Sequence, residues 1–224
     1  MKGARPLHVL VVAKAPEPGR VKTRLCPPLS PGDAAGIAEA ALVDTLQAVA
    51  MCSADVKIVA LDGRPGPWLP EGFRVVPQVG GGLGDRLAGA WLATREHGGG
   101  WGIQIGMDTP HVTASELDGL LDMLRGDEPA RALLGPAVDG GWWVIGLAGG
   151  DPRRVFGGVP MSTPGTGDAQ LTRLRTLGFA PRVVQTRRDI DTASDLALVA
   201  AQHPYTRTAA AWRRWLRSSE ALAS

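Results

Sequence analysis

Short apolar runs alternate with segments of helical periodicity along most of this chain, and that alternation limits the fold more than any other feature. Strand-like runs fall at Leu7 to Ala13, Val56 to Leu61, Phe73 to Val76, Trp101 to Met107, Ala130 to Ala137, Trp142 to Leu147 and Arg182 to Gln185. Helical spacing runs from Pro31 to about Met51. It recurs after Gly84, where Leu87, Ala90, Trp91 and Thr94 share a face, and again from Thr113 to about Arg125, Asp168 to Leu177 and Thr192 to Gln202. Ser30 before Pro31 and Asp33, and Thr113 before Glu116, are helix-start signals. Strands alternating with helices predict an α/β fold whose mostly parallel sheet is covered on both faces. The run after the tight Asp139-Gly140-Gly141 turn is expected to be antiparallel to its neighbour. Val155 to Gly167 reads as irregular.

Ligands of such sheets bind beyond the carboxyl ends of the strands. Three candidate features fall there. The first is Pro16 to Leu25, where Pro16, Pro18 and Gly19 break the first strand and Arg20, Lys22 and Arg24 alternate with Val21, Thr23 and Leu25. Read as extended, the segment lines its three cations along one side, where they repel unless an anion sits between them. A phosphate-gripping loop follows; a solvated basic loop is the plainer alternative. The second is Asp108, at the end of an apolar strand and just before Thr109-Pro110. The third is the Gly80–Gly84 loop.

Other properties limit the function classes. At 224 residues the chain suits one domain, 1–204, followed by a helical tail, 205–224. The tail puts Trp212, Trp215 and Leu216 on one face, which packs on the body or forms a homodimer contact. A formal charge of +2, with 44% hydrophobic and 21% charged residues, argues for an ordinary globular protein and against nucleic acid as partner. Lys2 and Arg5 precede an apolar run too short for a signal peptide or membrane span, so a cytoplasmic setting is expected. Cys26 and Cys52 lack the spacing of a zinc site or disulfide framework. His8, His97, His111 and His203 have no ligand spacing, and His111 reads as surface or structural.

The Walker motif is absent, because Gly19-Arg20-Val21-Lys22-Thr23 has the wrong glycine spacing. Gly80 to Asp85 lacks the third glycine of a dinucleotide fingerprint. The acids are more telling. Asp189 and Asp191 flank Ile190 just before a helix and can face the same way. Asp108 with Asp189 or Asp191 is a candidate Mg²⁺ (or Mn²⁺) site beside a nucleotide phosphate; a turn acid and a helix cap are the alternatives. Asp139, beside Gly140 and Gly141 and near Trp142 and Trp143, suits an acceptor pocket or a plain hairpin.

Five segments in order carry a resemblance. They are Lys14 to Leu25, Gly82 to Leu87, Gly106 to Pro110, Gly135 to Leu147 and Asp189 to Leu196. From about residue 7 to 200 the chain resembles the DUF2064 family, glycosyltransferase-like proteins related to nucleotidyltransferases. Trp142-Trp143 and Met161-Ser162-Thr163 depart from the family's usual residues in the acceptor half. The resemblance implies a three-layer GT-A fold, nucleotide-diphospho-sugar transferase-like and Rossmann-like, with a mostly parallel mixed sheet. It implies an NTP or nucleotide-sugar donor and a small-molecule acceptor. The favoured reaction is Mg²⁺-dependent nucleotidyl transfer to a phosphorylated or similar oxyanion acceptor. Glycosyl transfer is second, and a non-catalytic nucleotide-binding protein third. On this resemblance Arg20, Lys22, Arg24 and Asp108 are catalytic. Ala13, Lys14, Pro18, Gly19, Gln78, Gly82, Gly84, Asp85 and Arg86 bind the nucleotide. Asp139, Gly140, Gly141, Trp142, Ser162 and Thr163 hold the acceptor, and Asp108, Asp189 and Asp191 the metal.

Overall fold

The computed structural model describes residues 5–125 and 131–223; Lys2 and the start of the fifth strand run at Ala130 lie outside them. Seven strands form one sheet: β1 (Leu7–Lys14), β2 (Val56–Asp62), β3 (Arg74–Pro77), β4 (Trp101–Gly106), β5 (Arg131–Pro136), β6 (Trp142–Ala148) and β7 (Ala180–Val183). Their order is β3-β2-β1-β4-β6-β5-β7. All neighbours are parallel except β6, which runs antiparallel to both β4 and β5. β1 pairs with β2 on one side and β4 on the other, Val11 lying opposite Val59 and Ile105. The strand order reverses between β1 and β4, so the loops leaving their carboxyl ends diverge and open a crevice.

Alternate residues of β1 feed opposite faces. Leu7, Val9, Val11 and Ala13 join a core with Leu42 and Leu46 of α1 (Pro31–Met51) and Leu117 and Leu121 of α3 (Ala114–Leu124). Leu10, with Ile58 and Ala60 of β2, packs on the other face. There it meets Leu87 and Trp91 of α2 (Leu83–Glu96), Phe156 of α4 (Pro152–Phe156) and Leu174 of α5 (Thr166–Thr176). Burying a Leu, Ile or Phe side chain contributes roughly 1.5–3 kcal/mol, so these two layers supply the driving force for the fold. α1 starts at a Ser30–Asp33 capping box. It is long and apolar enough in composition to cross a bilayer, but ten of its residues are buried in this protein's own core.

Element boundaries differ from the sequence expectation where packing decides them. The last strand lies two residues earlier than expected, because Ala180 to Val183 take register against Arg131 to Leu134. The segment expected to be irregular begins inside α4, whose Val155 and Phe156 are fully buried. α6 (Ala193–Gln202) is capped by Thr192, which leaves Asp191 free of a capping role. α7 (Arg207–Ala223) packs on α1 and α6, with Trp212 and Trp215 stacked 4.9 Å apart against a small core of Leu25, Ile37, Ile190 and Leu196. The tail's tryptophan face is therefore partly covered by its own chain, and Leu216 stays exposed.

Candidate active site

The segment after β1 is not extended, which corrects the sequence reading. Lys22 sits in the left-handed region at φ 48°, and Thr23–Leu25 form a turn of 3-10 helix. The cause is burial. Val21 and Leu25 are 5% and 0% exposed while Thr23 between them is exposed; a strand would put all three on one face, whereas a coiled backbone turns Thr23 away. Backbone bonds from Arg20 to Glu17 and from Leu25 to Lys22 close the turns. Arg20, Lys22 and Arg24 nevertheless line one cavity of about 420 Å³ at the carboxyl ends of β1 and β4.

Each of those three cations is paired with an acid of its own chain, so their mutual repulsion is relieved without a ligand. Arg20 meets Glu17 at 2.8 Å and Asp62 at 3.4 Å. Arg24 meets Asp191 at 3.0 Å. Lys22 reaches furthest inward: its Nζ donates to the Ile190 carbonyl and pairs with Asp108 Oδ1, with only 7% of its side chain exposed. The backbone N–H of Ile190 donates to the Asp108 carbonyl at 3.0 Å. Residues 167 positions apart or more are thus tied into one cluster through the buried Ile190.

Asp108 and Asp191 both line the cavity; Asp189 does not, but feels the charges of both. Burial pushes the Asp189 carboxyl up to about 7, and the nearby charges of Asp139, Asp108 and Asp191 push it the same way. Four carboxylates therefore share one neighbourhood, and a cation entering there relieves their repulsion. Among the described residues no three His, Cys, Asp or Glu side chains form a metal-holding group. Of the two pairings expected from sequence, Asp108 with Asp191 or with Asp189, the cavity gathers Asp108 and Asp191, each held by a cation, Lys22 and Arg24 respectively. Two carboxylates with phosphate oxygens and water remain a chemistry that suits Mg²⁺ or Mn²⁺.

Among the nucleotide-site residues expected from sequence, Ala13, Lys14, Gln78 and Arg86 line the cavity. Pro18, Gly19, Gly82, Gly84 and Asp85 do not; Leu83, within the candidate Gly80–Gly84 loop, does. Gln78 also has a structural duty, its Nε2 donating to the carbonyls of Ala13 (2.8 Å) and Ala60 (3.0 Å). Asp85 turns back on its own loop, accepting from the Gly82 N–H at 3.4 Å.

The expected acceptor residues are only partly gathered. Ser162 lines the cavity, and Asp139, Gly140, Gly141, Trp142 and Thr163 do not. Asp139 Oδ1 accepts from the Gly141 N–H at 2.8 Å, the Gly140 carbonyl accepts from the Gly167 N–H at 2.8 Å, and Trp142 packs on Phe156. Thr163 shapes the turn that precedes α5, its N–H donating to Thr166 Oγ1 at 3.0 Å. His111 is structural, 9% exposed and stacked 4.4 Å from His203, and burial lowers it to about 4. A further signal was invisible in the sequence. Among the described residues, the non-glycine positions with positive φ are Lys22 at 48° and Ser162 at 58°, and both line this cavity. Such backbone persists where surrounding structure enforces it, often at functional sites.

Comparison with known proteins bears on the family and the fold. The family described as an uncharacterized protein conserved in bacteria, DUF2064, matches residues 37–163. The chain belongs to the DUF2064 family. This DUF2064 protein is also 29% identical over 199 residues to a phosphoenolpyruvate guanylyltransferase from Salinispora arenicola (strain CNS-205), covering 85% of this chain and 86% of the relative. It superposes with a TM-score of 0.82 on a putative nucleotide-diphospho-sugar transferase from Desulfovibrio desulfuricans G20, at 25% identity over 96% of this chain and 95% of the other. CMP:2-keto-3-deoxy-manno-octonic acid synthetase, solved with CTP, shares the fold at a TM-score of 0.54 and 13% identity, over 88% and 98% of the two chains. These likenesses make the DUF2064 chain a transferase of the nucleotide-diphospho-sugar transferase fold.

Proposed function

We propose that this chain is a nucleotidyltransferase that joins the NMP of an NTP to a small phosphorylated acceptor and releases pyrophosphate. One observation carries the reading: five cations, Lys14, Arg20, Lys22, Arg24 and Arg86, surround one cavity at the β1/β4 crevice. A triphosphate is the nucleotide group that most needs such a charge. The guanylyltransferase relative supports the same reaction class and makes GTP and phosphoenolpyruvate the first substrates to try.

In this reaction an acceptor oxygen attacks the α-phosphorus. The bond from that phosphorus to the bridging oxygen breaks, and the electron pair leaves with pyrophosphate. The chain's part is to hold the reactants in line and neutralise the charge that builds on the phosphoryl oxygens. Cations that line the cavity do the second. Lys22 also fixes the Asp108 carboxylate, through the same Nζ that grips the Ile190 carbonyl. Asp108 and Asp191, with Asp189 alongside, would hold a divalent cation, Mg²⁺ or Mn²⁺, whose contribution is to polarise phosphoryl oxygens. The acceptor is taken on the Ser162 side, next to the turn of Asp139 to Gly141. A cytoplasmic setting goes with this reading, since NTPs and phosphorylated metabolites are held there.

The test is direct. The purified protein is mixed with each NTP, phosphoenolpyruvate and Mg²⁺, while pyrophosphate release and product mass are followed. Pyrophosphate formed with one NTP, and only with acceptor and metal present, is the expected result. Glycosyl transfer is the second reading, favoured by the likeness to the putative nucleotide-diphospho-sugar transferase. Consumption of a nucleotide-sugar, with no pyrophosphate from any NTP, would replace the first reading by the second.

A further inference from the structure

The cations of the cavity fall into two classes. Arg20, Lys22 and Arg24 are each engaged by acids of the chain. The side chains of Lys14 and Arg86 have no hydrogen bond or ion pair among the described residues, and the Arg86 Nε is buried without a partner. Arg86 lies in the first turn of α2, three residues after Leu83, so the two share a helix face toward the cavity. That turn is held firmly. A Cβ added at Gly84 would stand 3.0 Å from the Phe156 carbonyl oxygen and 3.6 Å from Met161, so α2 abuts the chain just before Ser162. The adjacent acid, Asp85, is occupied by the Gly82 N–H. Removing a guanidinium from water is costly unless an anion takes the place of water.

We infer that Arg86 is the residue that binds the diphosphate group of the nucleotide, with Lys14 as its partner from the β1 side. Lys22 and Arg24 act instead as positioning residues, holding Asp108 and Asp191. A planar fork of N–H donors on Arg86 suits two phosphate oxygens at once. The inference rests on reading this cavity as a nucleotide site. It does not depend on which bond is transferred, because NTPs and nucleotide-sugars both carry a diphosphate.

Binding of inorganic pyrophosphate and of GTP, with Mg²⁺, is measured by calorimetry for the wild type, Arg86→Ala, Arg86→Lys and Arg95→Ala. Arg95 is a control far from the cavity, bonded to the Gly150 carbonyl. Arg86→Ala is expected to weaken pyrophosphate binding about tenfold to a hundredfold, the range of a lost charge-assisted hydrogen bond. Arg86→Lys recovers part of that loss, and Arg95→Ala leaves binding unchanged. Unfolding midpoints without ligand establish that each variant is folded; if Arg86→Ala is not, Arg86→Gln replaces it. Wild-type protein that fails to bind pyrophosphate, or Arg86→Ala that binds it as tightly as wild type, overturns the inference. If the inference holds while no NTP is turned over, the nucleotidyl reading alone falls. If NTP turnover is seen and survives intact in Arg86→Ala, the reaction stands and the role of Arg86 falls.

Discussion

Lys22 and Asp108 are paired across the crevice between β1 and β4, and the same lysine Nζ also grips the Ile190 carbonyl. One nearly buried ammonium thereby joins the loop after β1, the end of β4 and the segment before α6. Removing it loosens all three at once. Lys22→Ala is expected to lower turnover by about 10²- to 10³-fold, the size typical of losing one preorganised charge at a reacting centre. It should cost about 1–3 kcal/mol of stability for the bonds left unmade. Asp108→Asn keeps the shape and a weaker bond, so it should lose activity while unfolding within about 1 kcal/mol of wild type. Steady-state kinetics and urea unfolding of both variants check this, and a Lys22→Ala effect below threefold would sink it.

Gly140 packs the turn before β6 against the chain that leads into α5. Its φ is +90°, and an added Cβ would stand 2.0 Å from the Pro164 carbonyl oxygen. Gly140→Ala must displace either that turn or residues 162–167. A loss of about 2–4 kcal/mol is expected from the backbone conflict, with a rise in acceptor KM larger than the rise in nucleotide KM. Denaturant midpoints and two-substrate kinetics test the two parts separately.

The tail helix depends on an acid of another helix. Asp44, in α1, accepts from the backbone N–H of Arg207 at 3.0 Å, the N–H of Thr208 at 2.9 Å and Thr208 Oγ1 at 2.8 Å. It caps α7 from a position 163 residues away. Asp44→Ala should cost about 1–3 kcal/mol, and about 2–4 °C of Tm for each kcal/mol. Hydrogen exchange should rise first in α7, with turnover at 25 °C unchanged.

Buried histidines set an acid limit. Burial lowers both His8 and His111 from 6.5 to about 4. Between those values the unfolded chain binds the protons and the folded chain does not. The histidines' contribution to stability is therefore full above pH 6.5 and falls as pH drops toward 4, while Asp189, raised to about 7, works in the opposite sense and offsets part of the loss. His8, fully buried and edge-on to Trp91 at 4.7 Å, should account for on the order of 3 kcal/mol of that loss. Unfolding free energies from pH 7.5 to 5 are expected to decline, and His8→Leu should flatten the slope. An unchanged slope in that variant would show the acid limit to lie elsewhere.

The fold class, the antiparallel sixth strand and the position of the site at the carboxyl edge were legible in the sequence, because they follow from local rules. Alternation at Leu7 to Ala13, caps at Ser30 and Thr113, and Asp139-Gly140-Gly141 before β6 act over a few residues. Arg20, Lys22 and Arg24 were likewise identifiable as lining one cavity, although the extended geometry assumed for them was wrong. Val21 and Leu25 had to be buried together, and only the core beneath them could require that.

What the chain's sequence determined by itself was the set of charges, their order and the layers that carry them to one edge. Tertiary structure decided which charge neutralises which. Lys22 and Asp108 are separated by 86 positions in the chain and Arg24 and Asp191 by 167, and no local pattern couples partners so far apart. Their pairing follows from the switch point in the sheet, which brings the β1 loop, the end of β4 and the segment before α6 within reach of one another. Among the described residues the same packing leaves Arg86 without an acid. Pairing at short range in a partly desolvated cleft is a property of distance, and distance between remote residues exists only once the chain has folded.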